Sequence, residues 1–123
     1  MGLITRVFIV IWLLTGGWSL YAGSDTAIDG EAIYEHNCMR CHKQMSLTMQ
    51  KIFMRYLLKY SSEVSVKTAL FDFLKNPNYF TSALRKDQIA RYGLKTKTTL
   101  TDEQLRKAID VYWEKYKVFG KLK

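Results

Sequence analysis

Residues that interrupt helices are scarce in this sequence. Among 123 residues there is one proline, Pro77, and no stretch in which polar and apolar side chains alternate as they do along a half-buried strand. The sequence therefore predicts an all-α chain. Its length corresponds to about one domain, and it contains no internal repeat and no low-complexity tract.

Side chains that bind metals or form disulfides are also few, with two cysteines and two histidines. A structural zinc site needs two pairs of such ligands. Besides Cys38, Cys41 and the adjacent His42, the chain offers only His36, so a closed four-ligand zinc site is not expected. A thioredoxin-like dithiol would need a βαβ pattern around the two cysteines, and the sequence has none.

The amino terminus lacks the length of a membrane span, which takes about 20 apolar residues. A short apolar run, Val7–Leu14, breaks at Gly16-Gly17, and a plausible cleavage site follows at Ala22. This order is typical of a secretory signal peptide, here over residues 1–22, ahead of a domain at residues 23–123. The alternative is an uncleaved membrane anchor. In either case we expect the domain in an exported, periplasmic location.

The motif Cys38-Met39-Arg40-Cys41-His42 has the C-x-x-C-H spacing of a c-type haem attachment site. Two thiols three positions apart on one helical turn can reach the two vinyl groups on one edge of a porphyrin. The imidazole next to the second thiol can then bind the iron as its proximal ligand. The predicted cofactor is therefore haem c, with its iron.

Apolar residues at three- and four-residue steps predict the helices around this motif. Asp29 is expected to cap the first and Thr101 the last, where Gln104 completes a capping box. The residue before a proline is pushed away from helical angles, so a middle helix should stop at Asn76. The predicted helices are Gly30 to Asn37, Ser46 to Tyr60, Ser61 or Ser62 to Asn76, Thr81 or Ser82 to Tyr92, and a final one from Thr101.

Three segments together resemble a small monohaem class I c-type cytochrome. They are Gly30-x-x-x-Tyr34-x-x-x-Cys38-x-x-Cys41-His42, Phe73-Leu74-Lys75-Asn76-Pro77 and Leu100-Thr101-Asp102-Glu103-Gln104-Leu105. The resemblance implies a bundle of about four to five helices around one covalently attached haem. It implies that Cys38 and Cys41 form thioethers, that His42 is the proximal ligand, and that Gly30 and Tyr34 cross the last helix near Ile109, Tyr112 and Trp113.

The chain departs from that family on the other side of the iron, where a methionine usually follows the third helix. All five methionines lie at or before Met54, and Lys95 stands where the sulfur ligand is expected. Lys95 could bind the iron itself if its amine lost a proton. The alternatives are a sulfur ligand from one of three methionines, a neighbouring lysine, an open or water-filled position, and an ordinary surface lysine at 95. Those methionines are Met45, Met49 and Met54, whose spacing also suits core packing.

Basic residues dominate the charge, with 19 Lys and Arg against 11 Asp and Glu. Arg6 is the only charged side chain among the first 22 residues, so most of the excess would remain after cleavage. An exported protein rarely meets nucleic acid, so we expect no nucleic-acid partner. The surplus suits docking to acidic redox partners, including membrane-bound respiratory complexes, because complementary charge speeds encounter. The alternative is a basic surface that only keeps the chain soluble.

Together these features predict an electron carrier rather than an enzyme. The protein would set the potential of the haem and expose one haem edge to its partners. A gas-binding or redox-sensing haem protein, with an open or lysine-ligated distal site, is the alternative. A peroxidase is not expected, since His36 lies too close to the attachment motif to pair with an arginine across the haem.

Overall fold

The computed structural model describes residues 27–118, and within that range it contains five helices and no strand. The first helix, α1, is continuous and has three parts: Gly30–Tyr34 is α-helical, Glu35–Met39 is π-helical and Arg40–His42 is α-helical. The others are α2 (Met49–Tyr60), α3 (Glu63–Lys75), α4 (Lys86–Tyr92) and α5 (Asp102–Tyr116). The prediction of an all-α chain is confirmed for these residues. The predicted signal peptide at residues 1–22 lies outside them.

Helix α1 carries the C-x-x-C-H motif within its own turns. Asp29 caps it as predicted, because its carboxylate accepts hydrogen bonds from the backbone N–H groups of Glu31 and Ala32, both at 3.1 Å. The predicted end at Asn37 is wrong, since the helix continues through a π-helical turn to His42. A π-helical turn inserts one extra residue into the helix. It therefore changes the direction in which the following side chains, including those of the motif, leave the helix.

Two capped helices, α2 and α3, form a pair joined by a tight turn. Thr48 caps α2 by accepting from the backbone N–H of Lys51, so this helix starts three residues later than predicted. Ser61 then takes a left-handed conformation, with φ of 66°, and ends α2. Ser62 caps α3, and that helix ends at Asn76 before Pro77, as predicted.

The predicted start of α4 at Thr81 or Ser82 is wrong. The side-chain carbonyl of Asn78 accepts from the backbone N–H groups of Phe80 and Thr81, both at 3.0 Å. The hydroxyl of Ser82 accepts from the backbone N–H of Leu84 at 3.1 Å. These local bonds hold the backbone in turns and delay the helix to Lys86. The same loop leaves the rings of Tyr79 and Phe80 67% and 94% exposed.

Helix α5 crosses α1 closely and supplies the largest share of the core. Its capping box is present as predicted: Thr101 accepts from the N–H of Gln104, and Gln104 accepts from that of Thr101. Gly30 lies against the backbone of Lys107, and the ring of Tyr34 stacks on that of Tyr112 with centroids 6.0 Å apart. Phe53, which is fully buried, packs against Tyr112 and neighbouring aromatic rings of the same helix. This crossing fixes one side of the cavity described next.

No helix among residues 27–118 is both long and apolar enough to cross a bilayer.

Candidate functional site

A cavity of about 310 Å³ lies inside the bundle, and its walls are mostly apolar. Every helix contributes to it, as does the segment that follows α4. Helix α2 provides Ile52 and Tyr56, α3 provides Leu70 and Phe73, and α5 provides Ile109. The lining is therefore that of a pocket for an apolar group rather than for a small polar substrate.

The three residues of the attachment motif all line this cavity. Cys38 is partly buried and Cys41 is exposed, and neither forms a disulfide. Burial raises the pKa of the Cys38 thiol, an effect that the nearby charge of Lys95 opposes. The Cys38 thiol is thus held in its neutral form at neutral pH, within the cavity wall.

His42 offers its ring in the neutral form. Burial is the main reason that its pKa is lowered; the positive charge of Lys95 adds to this effect, and the backbone of Leu47 opposes it. Its Nδ1 atom is fully buried and has no hydrogen-bond partner of normal geometry among the described residues. A neutral imidazole is the form that binds a metal, and its second nitrogen usually has a hydrogen-bond partner. The ring therefore has unused bonding capacity inside the bundle.

Lys95 is brought to the same cavity by the segment after α4. Gly93 ends α4 with φ of 78°, and Lys95 follows two residues later. Its Nζ donates to the backbone carbonyl of Thr96 at 3.4 Å, and the side chain is exposed. Apart from His42, it is the only basic residue in the described lining, which includes no acidic residue. All four predicted site residues thus line one cavity, although 53 positions separate Lys95 from His42.

The three methionines considered as iron ligands have different surroundings. Met45 and Met49 line the cavity, and Met49 is also part of the buried core. Met54 lies on the outside of α2, 37% exposed, and does not line the cavity. His36 is exposed and likewise does not line it.

These residues could hold a haem. The cavity wall supplies two thiols and a neutral imidazole with an unpartnered buried nitrogen, and the rest of the lining is mostly apolar. Residues 27–118 contain no group of three or more His, Cys, Asp or Glu side chains placed to hold a bare metal ion. The donor set fits an iron carried by a porphyrin, since the porphyrin brings four of the ligands itself.

A second concavity, which the sequence did not predict, adjoins the first. It is an open groove of about 520 Å³ with a mainly polar lining. Lys51 and Arg91 lie in it, and Leu47 and Tyr92 line both the groove and the cavity. The hydroxyls of Ser46 and Tyr92 are hydrogen-bonded to each other at this boundary. No sequence signal joins residues 46–51 to residues 87–92, because they are far apart along the chain and come together only in the folded structure.

Comparison of the chain with protein-family models, with curated proteins and with solved structures gave no match in any of the three.

Proposed function

We propose that this protein is an exported monohaem c-type cytochrome that carries single electrons between redox partners. The observation that supports this most strongly is the convergence of Cys38, Cys41 and His42 on one apolar cavity. When bound, the haem would supply the redox chemistry, with its iron alternating between the ferrous and ferric states. The protein's contribution is attachment, ligation and control of solvent.

Each residue has a distinct task in this proposal. Cys38 and Cys41 would form the two thioethers, and His42 would be the proximal iron ligand. The apolar side chains of α2, α3 and α5 would surround the porphyrin and keep water from it, which lowers the local dielectric and influences the potential. The close crossing of α1 and α5 would hold the motif in place while the oxidation state changes.

Lys95 is our candidate for the second axial ligand. Its place in the wall of the cavity that Cys38 and His42 also line supports this role. Its exposure and its hydrogen bond to Thr96 favour the alternative function, in which the distal position is open and the protein binds or senses a gas. The described cavity lining holds no arginine and no histidine other than His42.

The proposed setting follows from the sequence. Residues 1–22 would direct export to the periplasm, with membrane attachment only if they remain uncleaved. The excess of 19 Lys and Arg over 11 Asp and Glu supports acidic redox partners, among them membrane-bound respiratory complexes.

The first test is whether haem remains covalently attached to the polypeptide after solvent extraction. The exported protein would be purified from cells that mature c-type cytochromes, and the haem would be extracted with acidified organic solvent. We expect haem to remain on the chain, and on the control Arg40→Gln, whose position lies inside the motif but is not part of its pattern. The double variant Cys38→Ser, Cys41→Ser should lose all covalent haem. A colourless wild-type chain would refute the proposal.

Carbon monoxide binding would then distinguish an electron carrier from a gas-binding protein. The ferrous protein would be mixed with the gas and followed by absorbance. A six-coordinate carrier should react slowly or not at all, because a protein ligand must first leave the iron. Rapid binding would favour the gas-binding function and count against Lys95 as a ligand.

A further inference from the structure

The groove beside the cavity has the composition of a carboxylate site. Two cations, Lys51 and Arg91, line it, together with the hydroxyls of Ser46 and Tyr92 and the side-chain amide of Gln88. These are the donors that bind carboxylates in proteins, and the planar guanidinium of arginine matches a carboxylate with two parallel hydrogen bonds. The groove is thus suited to acidic groups, whereas the adjoining cavity is suited to apolar ones.

The positive charge in this groove is not neutralised within residues 27–118. Neither Lys51 nor Arg91 forms an ion pair with another described residue, although six other basic residues of that range do. The one acid in the lining, Asp87, is already bound by Arg85 through two hydrogen bonds, at 2.9 and 2.7 Å. The groove therefore keeps two basic side chains whose charge an incoming anion could balance.

The groove and the cavity are neighbouring parts of one surface. Leu47 and Tyr92 line both, so a ligand that fills the cavity could extend past these two side chains into the groove. Such a ligand would need an apolar body and an acidic edge. A haem has this form, because its macrocycle is apolar and two propionate carboxylates project from one edge.

We propose that the groove lined by Lys51 and Arg91 binds the propionate carboxylates of the haem. This inference rests on the proposed function, since it needs a haem in the cavity. It assigns a task to two residues outside the attachment motif. By pairing with the carboxylates, the two cations would offset negative charge near the iron and so favour the ferrous state.

The test uses the loaded, exported protein in a buffer without phosphate. Lys51→Gln, Arg91→Gln and the double variant would be compared with Lys107→Gln, an exposed lysine on α5 that lines neither the cavity nor the groove. The reduction potential would be measured by spectroelectrochemical titration. The resonance Raman bands for bending of the porphyrin carboxylates would be recorded on the same samples.

We expect the potential to fall in each single variant and to fall further in the double variant, with no change in Lys107→Gln. The carboxylate bending bands should shift in the same order, which a general loss of stability would not produce. A coloured double variant with an unchanged potential and unchanged bands would overturn the assignment and leave the proposed cytochrome intact. A wild-type chain without covalent haem would overturn both.

A final measurement distinguishes haem carboxylates from a dissolved anion. Inorganic phosphate would be titrated into the loaded wild-type protein. If the propionates occupy the groove, phosphate should leave the carboxylate bands unchanged. If phosphate shifts the potential of the wild type but not that of the double variant, the groove binds free anions and the proposal is wrong.

Discussion

The hydroxyl of Tyr112 donates a hydrogen bond of 2.6 Å to the backbone carbonyl of Met49, and both residues line the cavity. This bond joins α5 to the start of α2 over 63 positions of sequence. Burial is the main cause of the raised pKa of the Tyr112 hydroxyl, which therefore remains protonated and able to donate throughout the physiological range. It is the one buried side-chain hydrogen bond between these two helices in the described residues.

Replacing Tyr112 with Phe should lower the stability of the protein without creating a cavity in the core. The ring remains, but the hydrogen bond is lost, so we expect the free energy of unfolding to fall by about 1 kcal/mol. Denaturant unfolding of the loaded protein would measure this. Tyr79→Phe is the matched control, because the Tyr79 ring is 67% exposed, and it should leave stability unchanged. Equal effects in the two variants would contradict the role given to the Tyr112 bond.

Replacing Gly30 with Ala tests how closely α1 and α5 pack against each other. A Cβ atom added at Gly30 would lie 2.9 Å from the backbone carbonyl oxygen of Lys107, which cannot move without shifting α5. Alanine normally stabilises a helix by about 1 kcal/mol relative to glycine. We nevertheless expect Gly30→Ala to lower the free energy of unfolding by about 1–2 kcal/mol, because overpacking outweighs helix propensity.

The control for Gly30 is Ala32→Gly, at an exposed position of the same helix. That change should lower stability by about 1 kcal/mol, from helix propensity alone. Urea denaturation of both variants would give the two values. A Gly30→Ala variant more stable than wild type would show that the two helices are less closely packed than the structure indicates.

The capping box of α5 allows a third test. Thr101 accepts a hydrogen bond of 3.2 Å from the backbone N–H of Gln104, so Thr101→Ala leaves that group without its partner. We expect a loss of about 1 kcal/mol in thermal or denaturant unfolding. Thr99→Ala provides the comparison, since Thr99 is exposed and its side chain forms no hydrogen bond with the described residues. A similar loss of stability in both variants would argue against the capping role of the Thr101 side chain.

Local chemistry explains which parts of the fold could be predicted. The caps at Asp29 and Thr101 and the ends at Asn76 and Gly93 depend on residues within a few positions of one another, so the sequence shows them directly. The π-helical turn of α1 could not be predicted, because α1 has too few turns for a one-residue shift in the spacing of its apolar residues to be recognised. The late start of α4 was missed because the hydrogen bonds of Asn78 compete with the helical pattern.

The candidate site also has a part that the sequence predicts and a part that depends on tertiary packing. Cys38, Cys41 and His42 form a continuous motif, which the sequence shows without any structure. The groove at Lys51 and Arg91 could not be found, since its two cations come from different helices and have no common spacing. Lys95 was singled out by resemblance, while its place in the wall of the same cavity is a result of the tertiary packing.

Lys95→Met offers the sharpest test of the distal position. If Lys95 binds the iron, methionine at this position should replace a nitrogen ligand with a thioether sulfur, which favours the ferrous form. We expect the potential to rise, within the range of about 0.8 V that axial ligands span. The oxidised protein should also gain the weak red absorption band associated with sulfur bound to ferric iron. Both would be measured on the loaded, exported protein.

Lys97→Met is the matched control, because Lys97 is exposed in the same segment and does not line the cavity. It removes the same charge and adds the same sulfur two residues away, so it should leave the potential and the spectrum nearly unchanged. Equal shifts in the two variants would mean that only charge was altered. If Lys95→Met leaves the spectrum unchanged, then neither side chain reaches the iron from position 95, and Lys95 is not the distal ligand.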